Sequence, residues 1–317
     1  MKSVSKGTVL KRNSRLQAEK GSSADGRTVP NVTLSILQTL KYSDHFDFPL
    51  TASEIYTRLI EIKASRSQIE ATLSELCRSK KIGKTKNSYH LPHRETLVSR
   101  RLKCAKLSKP LLARARKLSS KISHLKSILA IYLTGSLAVG NTDRDSDIDL
   151  MIITKPGRLW TTRLLLTLYT TLLNLRRTPH SLNNSGKLCL NLYLTPNAYL
   201  LPPDRRSLYT AYELIQAVPL HDPMDTHSAL LSANSWIHNY LPNAITGSDL
   251  EGSAQPRPYS ERGRSDPIGN LLESLVYHLQ FLYMRPRITR EYVTKDSAFF
   301  HPHNPGEIVI NKLSRLI

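Results

Sequence analysis

The sequence predicts an α+β protein, and three observations carry that expectation. Residues 129–154 read as strand, turn, polar loop and strand, residues 187–195 alternate as a further strand, and the segments around them show helical periodicity with recognisable caps. With 317 residues the chain can hold about two domains, each burying a core of its own. Its three cysteines, Cys77, Cys104 and Cys189, are odd in number and widely spaced, so neither a disulfide framework nor a zinc knuckle is suggested and a reducing cytoplasm fits. No secretory leader is expected, since residues 1–30 lack an apolar run. The most apolar segment, Leu159 to Leu175, carries Arg163 and five threonines and sits at the lower limit for a membrane span, so it reads as a buried helix.

Residues 1–30 are rich in Lys, Arg, Ser and Gly and are expected to form a disordered basic tail. From Val32 a helical stripe appears (Leu34, Leu37, Leu40), followed by the turn Phe46-Asp47-Phe48-Pro49-Leu50. Thr51 with Glu54 makes a capping box for a helix through Ile60, and Ser65 with Gln68 makes another for a helix through Ser79. Two short strands follow, Ile82 to Lys84 and Ser88 to Leu91, with Lys86-Asn87 at the tip. Three short helices and a hairpin predict a winged-helix-like domain over residues 31–92. Its third helix would present Arg66, Gln68 and Arg78, with Lys80, Lys81, Lys84 and Lys86 nearby. A DNA-groove contact and a protein-docking module with solvated lysines are both open readings.

Residues 93–128 form a basic helical connector, expected to break where Ser108 and Pro110 suit the start of a new helix. Leu97, Cys104, Leu111, Leu118 and Leu125 recur every seven residues, with Ala115 and Ile122 reinforcing the stripe. Arg114, Lys117 and Lys121 share the opposite face, which is either solvated or tracks phosphates. The charge is unevenly placed. Residues 31–128 hold twenty Lys/Arg against seven Asp/Glu, whereas residues 129–317 hold eighteen against sixteen. The front of the molecule has an electrostatic environment that the rest does not share.

The centre of the chain is the stretch from Leu129 to Thr154. Gly135-Ser136 ends an apolar strand, and Asp147 and Asp149 open the next, with Ile148, Leu150 and Ile152 on the alternate, core-facing side. Two carboxylates side by side on a strand are costly unless a cation lies between them, and all-oxygen ligands favour magnesium or manganese. Gly135 leaves the turn without a side chain in the way, and Ser136 follows at the start of a short helix.

Gly135-Ser136, ten residues, then Asp147-Ile148-Asp149-Leu150 resembles the signature of the nucleotidyltransferase superfamily that includes DNA polymerase beta. The resemblance implies the nucleotidyltransferase fold, a mixed β-sheet flanked by helices, over residues 129–243. Asp147 and Asp149 would bind metal, and Gly135 and Ser136 the nucleotide. Active members of that superfamily usually carry a third carboxylate on the following strand. Here that strand, Lys187 to Thr195, sets Leu188, Leu190, Leu192 and Leu194 on one face and Cys189, Asn191 and Tyr193 on the other, so the matching residue is Asn191. No Asp or Glu lies between Asp149 and Asp204, so a shift of alignment does not supply the missing acid.

Residues 204–217 and 226–241 read as amphipathic helices ended near Pro219 and Pro242. Residues 244–266 form a flexible linker, and residues 267–317 a C-terminal helical segment. Its stripe of Ile268, Leu271, Leu272, Leu275, Leu279 and Leu282 is expected to pack back on the core. His301-Pro302-His303 lacks a further ligand at useful spacing for metal. With its Phe46 to Leu50 turn and winged helix ahead of the catalytic stretch, the chain resembles bacterial nucleotidyltransferase-domain proteins. The expected activity is magnesium-dependent transfer of a nucleoside monophosphate from a nucleoside triphosphate to a hydroxyl acceptor, with catalysis by Asp147 and Asp149 beside Asn191. The alternative is an inactive nucleotide-sensing regulator that binds nucleic acid through the basic front half. Neither reading needs a membrane, and neither sets the oligomeric state.

Overall fold

The computed structural model describes residues 29–178, 185–244, 266–289 and 291–300. The expected disordered tail (apart from its last two residues), nearly all of the linker and His301-Pro302-His303 lie outside these residues. The N-terminal part comprises α1 (Val29–Asp44), α2 (Ala52–Thr57), α3 (Arg66–Arg78) and the antiparallel pair β1 (Gly83–Thr85) and β2 (Ser88–His90). Both capping boxes form: Thr51 and Ser65 each accept the N3 amide of their helix and are answered by Glu54 and Gln68. Leu50 bridges to Tyr89, and Ile36, Leu50, Ile55, Leu59, Ile69 and Leu73 fill the core beneath.

α4 (Thr96–Ile122) runs unbroken through Pro110, contrary to the expected break. A proline inside a helix deprives the carbonyl four residues back of its donor. Here both Pro110 and Lys106 are exposed, so water can satisfy that carbonyl. The face bearing Leu97, Cys104, Ala115, Leu118 and Ile122 is buried, as the seven-residue recurrence predicts.

The sheet has the order β6-β3-β4-β5-β8-β7 and is mixed. β3 (Ile128–Leu133) pairs antiparallel with β4 (Ile148–Thr154) and with β6 (Val218–His221), while β4 and β5 (Leu188–Leu194) run parallel, linked by α6 (Leu159–Leu172). β8 (Ser297–Phe299) and β7 (Tyr292–Val293) complete the far edge. Pro219 lies within β6 itself, which is allowed because β6 is an edge strand. Between β3 and β4 lies the single turn α5 (Gly135–Ala138), and after β5 come α7 (Leu208–Gln216), α8 (Thr226–Ala233) and α9 (Pro267–Met284). The expected second amphipathic helix continues past α8 only as a 3-10 turn over Ser235–Asn239.

Both faces of the sheet are covered, so the carboxylate-bearing face of β4 is not a solvent face. Ile148, Leu150 and Ile152 join a core with Trp160 and Leu166, whereas Met151 and Ile153 join one with Leu208, Ala211, Tyr212 and Leu214 of α7. An uninterrupted apolar run is what a strand covered on both sides requires. The register of β4 against β5 slips between Leu150 and Met151, leaving Asn191 as the extra residue of a β-bulge. The simple alternation expected for β5 therefore fails at Asn191. Leu188, Leu190 and Tyr193 share the Trp160 side, and Leu192 and Leu194 the α7 side.

The N-terminal part packs tightly on the rest. Tyr42 stacks on Tyr212 with ring centroids 4.1 Å apart, and Asn243 exchanges hydrogen bonds with the backbone of Ala64. No described helix is long and apolar enough to cross a membrane. α6 is buried only on one side (Leu159, Trp160, Thr162, Leu166, Thr170), while Leu165, Leu168 and Leu172 are exposed, which corrects the expectation of a fully buried helix.

Candidate active site

The strand β3 delivers the chain to Thr134, whose amide donates to the carbonyl of Asp149 at 3.0 Å and so clamps the turn onto the start of β4. Gly135 follows with φ +65°, in the left-handed region, and a Cβ there would stand 2.5 Å from Asp149 Oδ2. The glycine is thus required twice, for its conformation and for the close approach of the carboxylate. Ser136 is exposed in the first turn of α5.

The loop from Gly140 to Ser146 carries two further aspartates, and these serve the loop rather than the site. Asp143 accepts the Ser146 hydroxyl at 2.7 Å and the Asp145 amide at 3.1 Å, and both acids are exposed. Asn141 ties the loop to the N-terminal part by donating to the Phe46 carbonyl at 2.8 Å and accepting from Arg100 at 3.0 Å. Thr142 is buried against Ser108 of α4, hydroxyl to hydroxyl at 2.8 Å.

Asp147, Asp149 and Cys189 converge, with one ligand-type atom from each lying within 4.8 Å of the others. Asp147 Oδ2 accepts from Arg177 Nη1 at 2.7 Å, and Asp149 Oδ1 accepts from Asn191 Nδ2 at 3.1 Å. Burial, then repulsion from Asp147, pushes the Asp149 carboxyl up to about 6, against the opposing pull of Cys189, Arg177 and Asn191. Burial and the two neighbouring carboxylates raise the Cys189 thiol well above its ordinary value, so it stands as a neutral donor to Asp149. The ion pair with Asp147 raises Arg177.

A further acid feels this site from an unexpected place. Glu213 of α7 lies on the Asp149 side of the sheet and is pushed up to about 7, first by burial and then by the charge of Asp149, while a hydrogen bond from Tyr209 partly opposes this. The sequence offered little signal for it, because Glu213 sits in an ordinary amphipathic helix. Arg177 was equally hidden in a polar loop.

The basic residues expected to contact nucleic acid do not gather at this site. Arg66 lies over the Tyr56 ring at 4.3 Å and Lys84 over the Tyr89 ring at 5.2 Å, both exposed, and Lys86 occupies the hairpin tip with φ +54°. Lys117 and Lys121 are exposed on α4. Of these six residues Arg114 reaches the loop before β4 among the described residues: its Nε donates to the Gly186 carbonyl at 2.8 Å, and the Gly186 amide in turn donates to the Ser146 carbonyl.

One family model matches the stretch that holds this glycine turn and the paired aspartates. Residues 115–199 match the family model of the nucleotidyltransferase domain. The matched stretch runs from the second half of α4 to Tyr199 and includes Gly135, Ser136, Asp147, Asp149 and Asn191, while Glu213 lies beyond it. It supports a place for the chain in the nucleotidyltransferase superfamily, with a nucleoside triphosphate as the implied substrate. No curated protein and no solved structure matches the chain. Nucleotidyltransferase domains usually use divalent metals, and the donor set here fits one: two carboxylates facing each other, one held protonated up to about pH 6 by their mutual repulsion and burial, is the environment that a cation relieves. Hard carboxylate oxygens suit magnesium or manganese, and the neutral Cys189 thiol is not a ligand for either.

Proposed function

We propose that this protein transfers a nucleoside monophosphate from a nucleoside triphosphate to a hydroxyl acceptor, releasing pyrophosphate, in a magnesium- or manganese-dependent reaction. The observation that carries the reading is the convergence of Gly135, Asp147 and Asp149 inside the stretch that matches the nucleotidyltransferase domain. Asp147 and Asp149 would hold the metal, which when bound neutralises charge on the reacting phosphate. Ser136 and the amides that open α5 would receive the phosphate oxygens. Asn191 orients Asp149 through its amide, and Arg177 holds Asp147 while adding a fixed positive charge beside the acids. An amide cannot take a proton from an acceptor hydroxyl, so Asn191 offers no general-base help, which is typically worth roughly 10²–10⁴-fold.

The test is pyrophosphate release from each nucleoside triphosphate, with magnesium, manganese or EDTA, in the presence of cell extract as acceptor source. Release that depends on metal and is lost in Asp147→Asn is the expected result. Metal-dependent binding of nucleotide without any release would favour the second reading, a nucleotide-sensing regulator, for which Asn191 in place of the usual carboxylate speaks.

The three helices and hairpin of residues 31–92 are read as a winged helix. It would contact nucleic acid through Arg66, Lys84 and Lys86, with Arg114, Lys117 and Lys121 continuing the basic surface along α4. The net charge of +13 over residues 31–128 supports this. The domain boundaries at residues 92, 128 and 243 and a cytoplasmic setting belong to the same proposal.

A further inference from the structure

α9 lies against α6 on the side that carries Glu273, Val276, Tyr277 and Gln280. Glu273, the one charged residue of the helix, accepts the amides of Trp160 at 2.6 Å and Thr161 at 2.9 Å and so caps the start of α6. Gln280 Nε2 donates to the Trp160 carbonyl at 2.9 Å, and Asn270 accepts from Arg158 at 2.9 Å. The leucine stripe that the sequence assigns to the core is left facing out. Ile268 is 80% exposed, Leu271 73%, Leu272 51%, Leu275 55%, Leu279 58%, Leu282 62% and Tyr283 70%. The helix buries Val276 and packs Tyr277 inward yet leaves this second apolar side to water, and so large an apolar side calls for a cover.

Three features select that cover. First, Ile268, Leu272, Leu275, Leu279 and Leu282 are spaced four, three, four and three residues apart, the seam that interlocks with another helix presenting the same spacing. Second, the positions flanking the seam are Gly269, Leu271, Val276, His278 and Tyr283, with no Lys, Arg, Asp or Glu to repel an identical helix. Residues 129–317, which bear the face, carry eighteen Lys/Arg against sixteen Asp/Glu, so two copies meet there with little net repulsion. Third, the area suffices. Scaling free-residue areas on the order of 200 Å² by the exposures above gives roughly 900 Å², against about 800 Å² per partner in a standard stable interface and roughly 300–600 Å² for the largest apolar patch of an ordinary monomer.

We propose that α9 is a homodimerisation helix, its Ile268 to Leu282 seam pairing with the same seam of a second copy about a two-fold axis. In an isologous interface the residue at the axis meets its own counterpart, and Leu275 is the middle of the five seam residues. The neighbouring helix α6 adds exposed Leu165, Leu168 and Leu172 at the same three-and-four spacing.

Analytical ultracentrifugation of the full chain tests this, since the monomer is 35.8 kDa. The wild type is expected at twice that mass at micromolar concentration. The double variant Leu275→Glu/Leu279→Glu should be monomeric, its dissociation constant raised on the order of 100-fold or more, with an unchanged far-ultraviolet spectrum because both side chains are already exposed. Leu275→Cys, oxidised mildly, should give a reducible cross-linked dimer that the parent with its three native cysteines does not. A wild type that stays monomeric at roughly 100 μM, far above the micromolar range in which the dimer is expected, overturns the proposal. So does a dimer that survives the double variant. A monomer whose Leu275→Cys thiol resists alkylation also overturns it, and would assign the cover to another segment of the same chain. A monomer that co-sediments with anionic phospholipid vesicles overturns it in favour of a membrane surface.

Discussion

Asp149 is held at a cost, and replacing it should stabilise the metal-free protein while removing its activity. Its carboxyl titrates at about 6 in the folded chain against an ordinary 3.8. The protonated form is therefore the one that favours folding: its contribution is fully present below about 3.8 and is lost as pH rises through about 6. That gap corresponds to about 3 kcal/mol at neutral pH and above. Asp149→Asn removes the charge, while the bonds from Asn191 and Cys189 weaken with it, a loss of about 1 kcal/mol. The net gain of about 2 kcal/mol should raise Tm by roughly 4–8 °C in EDTA at pH 7.5. Scanning calorimetry of both proteins from pH 4 to 8 reads this directly. The advantage of the variant should shrink below pH 6, vanish at about pH 4.5 and reverse below it. Magnesium should raise the Tm of the wild type and leave that of the variant unmoved. A variant that melts lower than wild type at pH 7.5 in EDTA, or a difference independent of pH, would refute the reasoning, because Asp149 would then be a stabilising group and not a strained ligand.

Three further outcomes follow from the same geometry. Gly135→Ala places a Cβ 2.5 Å from Asp149 Oδ2 at a φ of +65°, so it should destabilise the fold by about 1–3 kcal/mol and abolish pyrophosphate release, read by calorimetry and a coupled phosphate assay. Asn191→Asp should tighten magnesium binding and raise any transferase rate by up to roughly 10²-fold, while lowering the metal-free Tm; unchanged metal stoichiometry and rate in a folded variant would place Asn191 outside the chemistry. Nucleic acid binding through residues 31–128, measured by fluorescence anisotropy on the full chain, should show a slope of log K against log salt of about −0.9 for each neutralised phosphate on duplex DNA, so a flat dependence would count against that surface.

What could be read beforehand and what could not divides along locality. Gly135, Asp147 and Asp149 were legible because a tight turn and a strand pair impose fixed spacings along the chain, and the capping boxes at Thr51 and Ser65 were legible because they close within three residues. Strands β3 and β4 announced themselves as apolar runs and β5 as an alternating one. The bulge at Asn191 was invisible, since it arises from the register between two strands that no local pattern encodes. The unbroken course of α4 past Pro110 depends on which side of the helix meets water, which tertiary packing decides. α9 shows the limit most plainly. Its amphipathic stripe was read correctly as a stripe, but Glu273 reaching the start of α6 turns that stripe outward.

The position of Glu213 changes how the missing third acid should be understood. The strand after Asp149 carries Asn191 and no acid, and no Asp or Glu lies between Asp149 and Asp204. The fold nevertheless brings a third acid within electrostatic reach of Asp149, from α7 and not from β5. Among the described residues, the guanidinium of Arg177 pairs with Asp147. Above about pH 7 Glu213 and Asp149 are both ionised, whereas near pH 5 both are protonated and that negative charge is gone. A divalent cation has its strongest electrostatic reason to bind in the first condition and little in the second. Placing a further carboxylate at Asn191 would add to an acidic group that is already three strong, which is why tighter metal binding and a less stable metal-free protein are expected from the same substitution.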